Sequence, residues 1–188
     1  MDTTKGNAGK RPPEAWRTKE LFEKGLGYVV ISRFKSEGRV ESGVFLVDIW
    51  CQGVKDAFFV QLHDYEYQER LIDRVFRSEA AEAMSPACAR KLVQDAVAYA
   101  EKLGLAPHPD YRKAARVWGG IAAQECAETF VFGKDGKPFF MQGPSDHLER
   151  IDFVMQQLTI HCGEGNFHYL LSAGQSSTEP EPGEDPAS

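Results

Sequence analysis

The sequence predicts an α+β domain: a mostly antiparallel sheet with helices packed on one face. Three observations lead there. Strand-like runs crowd the first third of the chain, helical patterns fill its middle, and strand patterns return in the last third. The predicted order, βββ-ααα-ββ-α-β, lacks the regular β-α alternation of a doubly wound parallel fold.

The first run, LGYVVISRF (Leu26–Phe34), is rich in β-branched and aromatic residues. A polar turn around Gly38 follows it. GVFLVDIWC (Gly43–Cys51) is the most apolar stretch, and VKDAFFVQL (Val54–Leu62) begins only two residues later, after Gln52–Gly53. Connections this short join antiparallel neighbours, so the three runs read as a meander.

Three helices come next. Asp64 is the expected N-cap of a helix over Tyr65–Arg77, with Leu71, Ile72, Val75 and Phe76 on one side. The second helix has the clearest boundaries: Ser85 as cap, Pro86 in the first turn, Gly104 just past the end and Pro107 beyond. Cys88, Leu92, Ala96, Tyr99 and Leu103 form its apolar stripe, and Ala89, Ala96 and Ala100 suit close approach to a sheet. A shorter helix is expected over about Asp110–Trp118, stopping at Gly119–Gly120.

In the last third, CAETFVFG and KPFFMQG flank Lys134–Asp135–Gly136, where Asp-Gly signals a hairpin. A helix carrying Leu148, Ile151, Met155, Leu158 and Cys162 starts at Ser145 or Asp146 and ends at Gly163. NFHYLL (Asn166–Leu171) is a final strand.

Residues 1–15 and 172–188 lack apolar periodicity and are rich in polar residues, Gly, Pro or Glu. They read as a disordered arm and a disordered acidic tail around a single domain, 16–171. Of the formal charge of −6, four negative charges lie in the tail, at Glu179, Glu181, Glu184 and Asp185. The remaining body is nearly neutral, which gives no indication of a nucleic-acid partner. No apolar run is long enough to span a bilayer, and the polar N-terminus lacks the apolar core of a secretory signal. The expectation is a cytoplasmic protein with no membrane contact.

Cys51, Cys88, Cys126 and Cys162 lie far apart and form no CxxC or Cys–His zinc spacing. Without an export signal they read as reduced thiols serving as small apolar residues. No metal site and no cofactor is expected.

Asp48 is the first chemical candidate, because it interrupts an apolar strand. A buried carboxylate needs donors, a cation or a proton. Lys55 and Asp56 lie across the short turn. One reading is a metal- or base-bearing carboxylate pair on adjacent strands. The favoured reading is a structural ion pair from Asp48 to a Lys or Arg. The arrangement invites comparison with restriction-endonuclease-like nucleases. However, Gly53 stands two residues before Lys55, where that pattern needs an acid.

His108 and Asp110 sit at a helix entrance, with Asp110 as N-cap and His108 held extended between two prolines. A catalytic use of His108 is the alternative. Lys134 and Lys137 at the Asp-Gly turn are candidate anion contacts. Trp16 is a candidate anchor for the N-terminal arm, onto its own domain in preference to a partner. No GxSxG, P-loop or HExxH motif occurs.

The strings GVFLVDIWCQGVKDAFF, YAEKLGLAPHPDY and FVFGKDGKPFFMQGPSD resemble those of an uncharacterised bacterial protein family. The likeness covers about Tyr28 to Asp146. It implies a bacterial, cytosolic, single-domain protein and assigns no activity or site residue. The expected function is a non-catalytic accessory module that binds another protein. The alternative is a metal-dependent hydrolase or nucleic-acid-processing enzyme using Asp48, Lys55, Asp56 and possibly His108.

Overall fold

The computed structural model describes residues 11–171. In chain order its elements are β1 (Glu14–Thr18), α1 (Leu21–Lys24), β2 (Leu26–Phe34), β3 (Arg39–Asp48), β4 (Gly53–His63), α2 (Asp64–Tyr67) and, after a π-turn at Gln68–Ile72, α3 (Asp73–Val75). There follow β5 (Ala81–Met84), α4 (Pro86–Lys102), α5 (Tyr111–Ala114), β6 (Phe139–Met141), α6 (Leu148–Cys162) and β7 (His168–Leu170). Five strands form an antiparallel sheet in the order β4-β3-β2-β1-β5.

The α+β class and the β2–β3–β4 meander are those the sequence predicts. One detail differs, because helices cover both faces of the sheet. On one face, α4 packs Ala89, Leu92, Val93, Ala96 and Val97 against Val29, Ile31, Phe45 and Val47. On the other, Tyr67, Leu71 and Ile72 cover Val30, Val40 and Val44. Both sets obey period-two alternation along β2 and β3, which are apolar on both sides and so need two covers. The helix expected from Tyr65 starts one residue early, as α2: Asp64 is its first residue, and the Glu66 carboxylate accepts the His63 N–H at 3.1 Å.

The helix α4 keeps its predicted limits, with Ser85 at the N-cap position, Pro86 first and Gly104 in the left-handed region (φ +74°). Its small residues do what their size suggests. A Cβ added to Gly53 (φ +66°) would stand 2.7 Å from the Ala96 carbonyl and 2.8 Å from Ala100 Cβ. Glycine there lets the helix rest on the end of the β3–β4 hairpin.

Two strands escape the pattern. EAWRT and AEAM are too short and too polar for an alternation signal, yet they pair as β1 and β5. The ordered chain therefore begins before Trp16, since Glu14 and Ala15 already belong to β1. Residues 1–10 and 172–188, read as disordered, lie outside the described residues.

The last third departs furthest from expectation. Asp135 (φ +53°) and Gly136 (φ +79°) form the tight turn, with Lys134 and Lys137 exchanging backbone hydrogen bonds at 2.8 and 3.1 Å. The predicted flanking hairpin strands do not pair beyond that bridge. The segment before the turn is instead a strap. Phe130 stacks on Phe22 and Phe132 on Tyr99, while the Gly133 and Phe139 N–H groups donate to the Ile49 and Trp50 carbonyls at 2.9 and 3.0 Å. The strand β6 pairs with β7, in parallel. Between them α6 buries Ile151, Val154 and Leu158 against Cys51, Leu103, Leu105 and Phe140.

The cysteine reading needs a correction. Cys88, in the first turn of α4, is joined to Cys126 by a disulfide across 38 residues. The 3₁₀ turn at Ala123–Glu125 packs beside α4 and brings Cys126 to it. Cys51 and Cys162 are free thiols, the first buried and the second partly so.

Candidate functional site

The chemistry concentrates at the tip of the β3–β4 hairpin. The strand β3 ends at Asp48, which is 5 % exposed. Its Oδ1 accepts the N–H groups of Trp50 and Cys51, each at 2.9 Å, and its Oδ2 accepts that of Gln52 at 3.1 Å. Asp48 thus satisfies three consecutive backbone donors in a buried turn. Its partners are backbone amides and not the Lys or Arg side chain that the sequence suggested. Burial pushes its pKa up, against the opposing pull of those amides and of the Lys55 charge.

Beyond Gly53, β4 pairs with β3 through a one-residue bulge. Val54 lies opposite Val47 and Asp56 opposite Leu46, which leaves Lys55 without a partner residue. The bulge shifts the side-chain parity, so that Val54 and Ala57, three residues apart, both enter the core beside α4. Lys55 is turned toward the start of α6, where its Nζ lies 3.3 Å from Asp146 Oδ2 with both side chains 14 % exposed. The same Asp146 oxygen accepts the Gly143 N–H at 2.7 Å. Asp146, expected to open the helix, precedes it; His147 holds the N-cap position of α6.

The loop after α4 supplies a third wall. The His108 N–H donates to the Val54 carbonyl at 2.9 Å, which fixes the loop to β4. The His108 Nδ1 accepts the Asp110 N–H at 3.2 Å, so a neutral ring carries its proton on Nε2. That atom is 3.7 Å from Asp56 Oδ1. Asp110 occupies the expected cap position of α5 but makes no side-chain cap bond. The short helix itself ends at Ala114 and runs on as a 3₁₀ turn to Trp118.

These walls enclose a cleft of about 210 Å³, lined by Gln52, Lys55, His108, Asp146 and Arg150 among others. Arg150 Nη2 donates to Gln52 Oε1 at 3.0 Å. Gln52 is 1 % exposed, and its Nε2 is buried with no hydrogen-bond partner among the described residues. Of the four residues put forward for catalysis, Lys55 and His108 line this cleft. Asp56 sits at its margin beside His108. Asp48 is behind its floor, facing the backbone. Among the described residues, no three His, Cys, Asp or Glu side chains gather into a group that would hold a metal ion.

The other candidates lie elsewhere. Lys134 Nζ is 4.6 Å from the centre of the Trp50 ring and 4.8 Å from that of Phe139. Lys137 Nζ donates to the Gly165 carbonyl at 3.0 Å. Trp16 sits in β1, opposite Val30 and Ala83, and packs on the cluster under Tyr67 and Leu71. A larger cavity of about 560 Å³ lies between the end of β2 and the start of α4. Its cations are already paired: Arg11 with Glu14 and Asp64, and Arg33 and Lys35 with Glu41.

Sequence reasoning missed Gln52, Asp146 as an ion-pair partner, and Arg150. Gln52 was legible only as part of a connection, although the small residues around it, Gly53, Ala96 and Ala100, signal a turn pressed under a helix. Arg150 adjoins the buried stripe of α6, and nothing in its spacing marks it.

Compared with protein-family models, with curated proteins and with solved structures, the chain matches none. The bacterial family likeness read from its strings gains no support from them.

Proposed function

We propose that the chain is a non-catalytic accessory module that binds another protein, with the Gln52–Lys55–Arg150 cleft as its contact point. The observation that carries this reading is the state of Asp48. The group most suited to chemistry spends both oxygens on backbone amides of its own turn. The cleft offers fixed donors and no activated nucleophile.

A second reading, a metal-dependent hydrolase or nucleic-acid-processing enzyme, draws support from Lys55 and His108 lining one cleft with Asp56 3.7 Å from the imidazole. It lacks a carboxylate pair to hold the metal. Turnover of phosphodiester and phosphomonoester substrates with Mg²⁺ or Mn²⁺ separates the two. We expect none above the protein-free blank. Metal-dependent turnover above that blank, lost in Lys55→Met, reverses the choice.

Cytoplasmic residence belongs to this proposal. Among the described residues no helix is long and apolar enough to cross a membrane. The Cys88–Cys126 disulfide pulls the other way, since such bonds persist in oxidising compartments. Trapping thiols in intact cells decides it: reduced Cys88 and Cys126 support the cytoplasm, and a protected pair places the chain outside it.

A further inference from the structure

We infer that the cleft at the β3–β4 tip is a receptor for a single carboxylate group, an assignment that rests on the binding-module reading above. The argument begins with the orientation of one amide. The Arg150 guanidinium only donates, so the Gln52 oxygen must face it, and the Gln52 NH₂ group is left as the unpaired atom. A buried donor without an acceptor costs about 1–3 kcal/mol, and an acceptor brought by a ligand recovers it. The unpaired donor therefore calls for an acceptor, not a cation.

Charge selects the kind of acceptor. Lys55 is paired with Asp146. Arg150, by contrast, pairs with no carboxylate among the described residues; it contacts the neutral Gln52 oxygen and lies 5.7 Å from the Phe153 ring. The lining residues carry two cations, Lys55 and Arg150, against one carboxylate, Asp146, while Asp56, at the margin, faces His108 Nε2 at 3.7 Å. Arg150 is thus the cation left for an acidic group. A planar carboxylate matches the guanidinium fork in shape as well as charge, whereas a phosphate dianion overcharges a cleft that already holds Asp146. The volume of about 210 Å³ admits a carboxylate head group together with part of the molecule that carries it.

The Gln52 Nε2 atom is buried in the wall of the cleft. A carboxylate meets Arg150 and Lys55 first. Free acids and acidic side chains or C-termini of a partner share this chemistry.

The test is an NMR titration of the ¹⁵N-labelled full chain at constant ionic strength, with sodium acetate in one arm, a glutamate-rich peptide in a second and inorganic phosphate in a third. The expected result is a saturable millimolar shift of the Gln52 side-chain amide pair with acetate, the peptide or both. The shift should weaken at least about tenfold in Arg150→Gln. Tighter binding of the peptide marks the source as a partner protein; tighter binding of acetate marks it as a small acid. An unmoved Gln52 amide in both carboxylate arms overturns the inference, as does a response to phosphate alone. The titration on the unaltered chain decides even where a variant fails to fold. Its failure leaves the non-catalytic reading standing, since only the turnover assay tests that.

Discussion

Asp48 and Gln52 are four residues apart in one buried turn, and they resolve the burial of polar atoms in opposite ways. Asp48 turns inward and both of its oxygens are met by the backbone. Gln52 turns toward the cleft and only its oxygen is met. The first group is spent holding the turn together. The second is left half-served beside a cavity. Polarity inside an apolar segment therefore marks a place to look, and the inventory of partners tells architecture from site.

The largest expected effect tests the architectural half. Asp48→Ala strands three buried N–H donors, and should lower unfolding stability by about 3–5 kcal/mol in urea denaturation. A loss under about 1 kcal/mol would mean that the turn finds other acceptors. Gln52→Leu sharpens the contrast. It discards an unpaired donor together with an acceptor whose partner, Arg150, sits at the cleft, so stability should change by less than about 1 kcal/mol. A larger loss would make Gln52 as structural as its neighbour.

Cys51, between the two, reports on how tightly the turn is closed. It is fully buried, and burial followed by the Asp48 charge pushes its thiol pKa up. Cys162 is more open to solvent. A chromogenic disulfide reagent should modify Cys162 in the native chain and reach Cys51 only on unfolding. Rapid labelling of both would show that the turn opens readily.

The smallest effect is alkaline. Tyr99 lies over the same turn, its hydroxyl 3.5 Å from the Trp50 carbonyl, and burial holds its pKa above the ordinary value of 10. The folded chain keeps a proton that the unfolded chain releases. This contribution to stability is complete below pH ~10 and is lost as the pH rises beyond it. Tyr99→Phe should flatten that limb of the stability–pH curve.

Much of the sheet and α4 was legible, because long segments repeat their signal. Nine residues of β2 carry their own alternation, and Ser85, Pro86 and Gly104 bracket α4. β1 and β5 offered only EAWRT and AEAM, which acquire strand character from each other. The strap at 126–132 looked like a strand because Phe130 and Phe132 alternate, but those rings stack on Phe22 and Tyr99 instead of extending a ladder. Asp48 stood out by contrast with its neighbours. The cleft did not, since Arg150 and Gln52 are 98 residues apart and meet only when α6 docks.

The bond between Cys88 and Cys126 has a consequence for the cleft that its packing does not reveal. The rim at Ala106–Pro109 lies inside the loop it closes. A protease that nicks this rim would break the chain without parting it, and the two pieces would migrate as one species until a reductant is added. A clipped protein of this kind would carry the hairpin tip on one fragment and α6 on the other, and sulfur alone would tether the two walls of the cleft covalently.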